Sequence, residues 1–145
     1  MNILVLNGPN LNMLGIREPQ IYGTQDYAAL EAFIHEAASA LDCTVVIRQS
    51  NHEGVLIDWI QDAYGKFDAI VMNPGGYTHT SVAILDAIQA VSLPTVEVHL
   101  SDPDQREAFR RVSLLREACV ATFKGHGFDS YRLALQFLAN KTPAH

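Results

Sequence analysis

The chain has 145 residues, 48% of them hydrophobic, enough to bury one core of ordinary size, so a single domain over residues 1–145 is expected. A formal charge of -6, with only 10 Lys and Arg, excludes the clustered basic surface that nucleic acid or an anionic membrane requires, and leaves a small molecule as the expected partner. Cys43 and Cys119 lie far apart inside apolar runs and read as small hydrophobes in a reducing compartment, not as a disulfide or a catalytic thiol. The opening MNILVLNGPN has no basic segment before its apolar run, and that run is too short for a signal or a membrane span, so a cytoplasmic protein is expected.

Short apolar, β-branched runs alternate with longer stretches of helical periodicity. In chain order the pattern predicts a strand over 3–6, a helix over 26–41, a strand over 44–48, a helix over 53–63 and a strand over 69–72. A helix over 80–91, a strand over 95–98, a helix over 104–111, a strand over 118–122 and a helix over 130–140 follow. Each helix begins near a plausible cap. In the first, Leu30, Phe33, Ile34, Ala37 and Ala38 form an apolar stripe, with Glu31 and Glu36 on the other side. Strands that read as continuous apolar runs are buried on both faces, which favours a parallel sheet covered by helices on each side. By analogy the fold is α/β, a flavodoxin-like three-layer sandwich with strand order 2-1-3-4-5. No linker or repeat interrupts it, and only the tail 141–145 is expected to be disordered.

Ligands of open parallel sheets bind beyond the carboxyl ends of the strands, so the residues after each strand carry the functional information. After the first strand comes NGPNLNMLGIREPQIYG, residues 7–23, without helical periodicity and long for a strand-to-helix connection. It offers Asn7, Asn10, Arg17, Glu18 and Tyr22, with Gly8, Pro9, Pro19 and Gly23 turning or restricting the backbone. It reads as an active-site lid, the alternative being a solvated loop.

After the third strand the chain runs NPGGYTHTS, residues 73–81, where Gly75 and Gly76 let backbone amides approach a ligand. No lysine follows, so this is not a nucleotide loop of the Walker kind. Thr78 and Thr80 read as helix caps, and His79 as a functional candidate. The fourth strand leads into EVHLSDPDQREAFRR, in which Glu97 and His99 share one face of extended chain, so the carboxylate can orient the imidazole. The alternative is a solvent-exposed polar pair at a sheet edge. Leu100 and Ser101 approach a helix opening at SDPD, where amides and the helix dipole favour an anion such as a substrate carboxylate. Arg106 and Arg110, spaced i,i+4, share a face of that helix, with Arg110 able to reach the pocket.

These three segments, with QSNHEGVLIDWI after the second strand and YRLALQFLA near the end, resemble type II 3-dehydroquinate dehydratase in content and in order over most of the chain. The resemblance implies loss of water from 3-dehydroquinate by anti elimination through an enolate, giving 3-dehydroshikimate for biosynthesis or during quinate breakdown. It implies no metal, cofactor or Schiff base, and a homododecamer built from trimers. Residue by residue, Tyr22 is similar to the general base, Arg17 to the group that activates it, His99 to the general acid, Glu97 to its partner, and Asn10 to the residue holding a water near the enolate. Asn73, His79, Leu100, Ser101 and Arg110 match substrate-binding positions, and Asp86 one supplied across a trimer interface. The chain departs from the family pattern at Leu85, at Leu114, Leu115 and Arg116 after Ser113, and at Lys124 to Gly127; these departures are expected to bear on subunit packing and to leave the reaction alone. The rival readings are a flavodoxin-like binding domain without catalysis and a nucleotide-dependent transferase using Gly75 and Gly76.

Overall fold

The structure, a computed structural model, describes residues 1–16, 18–22 and 25–141, and for Pro19, Tyr22 and Lys141 the backbone alone. Its elements are β1 (Asn2–Asn7), α1 (Pro19–Tyr22), α2 (Tyr27–Ala40), β2 (Thr44–Gln49), α3 (Glu53–Asp62), β3 (Ala69–Asn73), α4 (Val82–Val91), β4 (Thr95–His99), β5 (Ala121–Lys124) and α5 (Asp129–Lys141). The five strands pair in parallel in the order β2-β1-β3-β4-β5, as the apolar runs and the analogy led one to expect.

Alternation along β1 explains why residues 3–6 are all apolar. Ile3 and Val5 face a core completed by Leu30, Ile34 and Ala38 of α2 and by Leu135 and Leu138 of α5. Leu4 and Leu6 face the opposite core, with Leu56 and Ile60 of α3 and Ile84 and Ile88 of α4. Each such side chain contributes about 1.5–3 kcal/mol by leaving water. No helix among the described residues is long and apolar enough to cross a membrane.

Caps define the helix starts. Asp26 accepts the Ala29 N–H at 2.8 Å, opening α2. Ser81 accepts the Ile84 N–H at 3.0 Å and donates its hydroxyl to Glu53 Oε2 at 2.5 Å, so one side chain caps α4 and ties it to the first turn of α3. Ser81→Ala is therefore expected to lower stability by about 1–2 kcal/mol, read as a lower urea midpoint at unchanged slope.

The structure corrects two expectations. Residues 104–111 do not form an α-helix but two separate 3-10 turns, Pro103–Gln105 and Ala108–Arg110. A short helix depends on an apolar stripe to bury. Here Phe109, the one large apolar residue of the stretch, is 66% exposed, and Arg106 between the turns is extended. The last strand begins at Ala121, three residues later than expected, because Leu115–Ala118 makes a 3-10 turn that buries Leu115 before the chain pairs Val96 with Ala121. The cysteines are half-buried. Burial pushes the Cys119 thiol up to about 12, with the Glu97 charge adding and Arg116 opposing, which suits an unreactive thiol.

Candidate active site

Parallel strands that end level bring their following loops to one edge, and here three of them enclose a cavity of about 200 Å³. The loop after β1 contributes Pro9, Asn10, Leu11 and Leu14; the segment after β3 contributes Asn73, Gly75, Gly76 and His79; the end of β4 and its loop contribute His99, Leu100, Ser101, Pro103, Arg106 and Arg110.

The first loop is braced from β2. Gln49 Nε2 donates to the Gly8 carbonyl at 3.1 Å and to Asn51 Oδ1 at 3.2 Å, and Asn51 Oδ1 accepts the Asn10 N–H at 3.0 Å. Asn10 takes up a left-handed conformation with φ 71, and buried Leu11 and Leu14 pin the turn that follows to the core. Gly8 lies so close to the next loop that a Cβ would sit 2.6 Å from the Pro74 carbonyl oxygen, so no side chain fits there.

Beneath the cavity runs a chain of neutral polar groups. Register places Asn7 of β1 beside Asn73 of β3. Asn73 Nδ2 donates to Tyr131 Oη at 2.9 Å, Tyr131 Oη donates to Asn7 Oδ1 at 2.6 Å, and Asn7 Nδ2 donates to Tyr27 Oη at 3.2 Å. Asn73 Oδ1 also accepts the Gly75 N–H at 3.2 Å. The Asn73 amide is thus held in one orientation. Burial drives the Tyr131 phenol well above the usual tyrosine range, so it stays a neutral donor.

Behind the wall of the cavity is a buried carboxylate. Glu97 is 1% exposed. Its Oε2 accepts from Thr78 at 2.8 Å and Ser113 at 2.9 Å and meets His99 Nε2 at 2.5 Å; its Oε1 accepts from Arg116 at 3.3 Å and Thr122 at 3.4 Å. Burial opposes ionisation, yet the hydrogen bond and charge of His99, with the Thr78 and Ser113 hydroxyls, outweigh it and hold the carboxyl down to about 2. An ionised Glu97 accepts the Nε2 proton, which leaves Nδ1 as the other ring nitrogen of His99, a residue lining the cavity. The exposed-edge alternative for this pair fails, since β4 lies between β3 and β5.

His79 Nδ1 donates to the Val112 carbonyl at 2.6 Å, leaving Nε2 as its second polar atom. Arg106 Nη2 pairs with Glu18 Oε2 at 3.2 Å, bridging the first loop to the β4 loop, while Arg110 Nε binds Glu107 at 2.7 Å. With no helix here, the dipole expected to favour an anion at Leu100 and Ser101 is absent, and Asp102 already accepts the Asp104 N–H at 3.0 Å. Among the described residues, the guanidinium groups lining the cavity are those of Arg106 and Arg110, each paired with a glutamate.

Of the residues singled out from the sequence, Asn10, Asn73, His79, His99, Leu100, Ser101 and Arg110 line one cavity, and Glu97 stands behind His99. Asp86 is exposed on α4 and is not among the cavity-lining residues. Arg17 and the Tyr22 side chain lie outside the described residues. Thr78, read above as a helix cap, is a Glu97 partner, and the sequence pattern does not mark Ser113, Thr122 or Tyr131 as support for the site. Arg116 stands among the departures expected to bear on subunit packing, but its bond to Glu97 joins it to the site. A charged group at a strand end implies partners by the cost of burying it bare, but the sequence does not say which residues arrive.

The profile of the family Dehydroquinase class II matches residues 1–139. The 3-dehydroquinate dehydratase of Gloeobacter violaceus is 52% identical over 139 residues, 96% of this chain and 87% of its own length. That of Phenylobacterium zucineum is 53% identical over 137 residues, 94% of each chain. Among solved structures, a type II dehydroquinase from Butyrivibrio crossotus superposes with a TM-score of 0.94 at 46% identity, covering 97% of this chain and 98% of that one.

Proposed function

Because this chain belongs to the class II dehydroquinases, we propose that its cavity dehydrates 3-dehydroquinate to 3-dehydroshikimate by anti elimination through an enolate. The activity is that of a hydro-lyase of the shikimate-pathway reaction, whether the product feeds biosynthesis or arises in quinate breakdown.

The reading rests above all on His99, a histidine at the cavity wall whose Nε2 is held by a buried carboxylate. With Nε2 engaged, Nδ1 is the atom that hands a proton to the departing hydroxyl. General acid help of this kind accelerates a step by about two to four orders of magnitude. Tyr22, as phenolate, takes the proton next to the ketone. Arg17 stabilises that phenolate, and Asn10 holds a water at the enolate oxygen. Asn73 has a second amide hydrogen to offer a substrate hydroxyl, His79 its Nε2, and Arg110 its charge to a carboxylate near Leu100 and Ser101. Asp86 completes a neighbouring site in a dodecamer built from trimers, working in the cytoplasm without metal or cofactor. Solution mass tests that assembly: a monomer would remove the role given to Asp86.

Purified protein mixed with 3-dehydroquinate is expected to develop the absorbance of the conjugated product, unaffected by chelator and by borohydride. Failure to consume the substrate would favour a binding fold without catalysis, and inactivation by borohydride with substrate would point to a lysine imine. The nucleotide-transferase reading loses support, since the Gly75 amide it would use is taken by Asn73.

A further inference from the structure

We infer that Arg116 is a positioning residue for the acid half of this site, its guanidinium compensating the buried Glu97 carboxylate when His99 gives up its proton; this rests on the dehydration proposed above. Glu97 carries one negative charge and is bonded on both oxygens, by the His99 ring on Oε2 and by the Arg116 guanidinium on Oε1. Before donation, the imidazolium, carboxylate and guanidinium sum to one positive charge; afterwards they are neutral. Without Arg116 the same step would end on a buried carboxylate with no cation, a state that low-dielectric surroundings penalise. The proton leaves Nδ1 for the departing hydroxyl, which goes as water, and Glu97 keeps its charge throughout.

Arg116 is held where it must be. Its backbone N–H donates to Ser113 Oγ at 3.3 Å, the hydroxyl that also serves Glu97, and neighbouring Leu115 is buried under α4. Among the described residues, the charged and titratable groups around the pair are few. Thr78, Ser113 and Thr122 face Glu97 as neutral hydroxyls, and the Cys119 thiol, kept protonated, feels its charge. Lys124, opposite His99 in register, is matched by Asp102 and Asp104, and Arg106 and Arg110 share the cavity with His99 while paired to Glu18 and Glu107. Arg116 is thus the cation on the far side of Glu97 from His99. Its side chain is 36% exposed, so its influence should weaken with salt.

The test compares R116Q and R116K with the wild type, with R116M, which keeps the stem, carrying it if R116Q does not fold. R116Q is expected to lower kcat by roughly three- to ten-fold at near-constant KM, and to move the alkaline limb of the kcat profile upward by about half to one pH unit. R116K should restore the limb, and about 1 M salt should shrink the difference. The 15N shifts of the His99 ring, followed with pH in the resting protein, should show the same displacement. Superimposable profiles and ring titrations in wild type and R116Q would overturn the inference, as would a limb that R116K leaves displaced. A wild type that leaves 3-dehydroquinate untouched would instead defeat the dehydration reading, because the ring titration tests Arg116 without turnover.

Discussion

Tyr22→Phe is expected to remain folded, to bind substrate or product, and to lose turnover by about four orders of magnitude or more, at the upper end of what a positioned base supplies. Proton abstraction next to a ketone needs a base, and a free tyrosine, with a pKa near 10, is only about 0.1% phenolate at pH 7. Working near neutrality demands a fall of about three units, or roughly 4 kcal/mol at about 1.36 kcal/mol per unit. A close guanidinium in a sheltered site supplies stabilisation of that order. Arg17 is the candidate, so Arg17→Ala should move the acid limb of kcat/KM to higher pH, since more alkali is then needed to ionise the base. Turnover would be followed by product absorbance, binding by calorimetry and folding by circular dichroism. Near-normal turnover in Tyr22→Phe would defeat the mechanism. Hydrogen exchange adds a check on shelter: if residues 10–22 exchange as fast with substrate as without, the loop does not close over the base.

The second large effect is expected at Glu97. Replacing it by Ala removes the common acceptor of Thr78, Ser113, Thr122, Arg116 and His99 in a place closed to water. Breaking such a buried pair costs about 3–5 kcal/mol, and kcat should fall as His99 loses its orientation. A pH dependence follows with a definite sign. The folded-state carboxyl is depressed from 4.5 to about 2, so ionised Glu97 adds stability that is fully present above about 4.5 and lost as pH falls through about 2. The window carries about 3 kcal/mol, from about 2.5 units at about 1.36 kcal/mol each. Urea unfolding of wild type and Glu97→Gln should therefore show a gap at pH 7 that narrows progressively below about 4.5. A gap indifferent to pH across that range would mean that the charge of Glu97 does not hold this end of the sheet.

The sequence by itself determined the sheet and the place of the site. The apolar runs 3–6 of β1 and 69–72 of β3 have no polar step because both faces of a central parallel strand are buried, which pointed to a covered parallel sheet, while the strand order came from analogy. The polar residues closing those strands, Asn7, Asn73 and His99, marked the functional edge because a buried strand tolerates such groups only where they have partners or a ligand. The family motifs then pointed to the chemistry proposed for Asn10, His79 and Arg110.

Tertiary structure decided what local pattern does not encode. Residues 104–111 have helix-compatible composition but no stripe to bury, so packing left them as two 3-10 turns and removed the dipole proposed for anion binding. The cage around Glu97 draws on Thr78, Ser113, Arg116 and Thr122, and the support beneath Asn73 joins Asn7 to Tyr131 across 124 positions. Those partners meet only because the crossovers of a parallel sheet return distant segments to the same end of it, and their bonds leave no periodic trace along the chain. Arg116 is the clearest instance: along the chain it is one more charged residue in a polar turn, and only the burial of Glu97 beside it makes its charge matter.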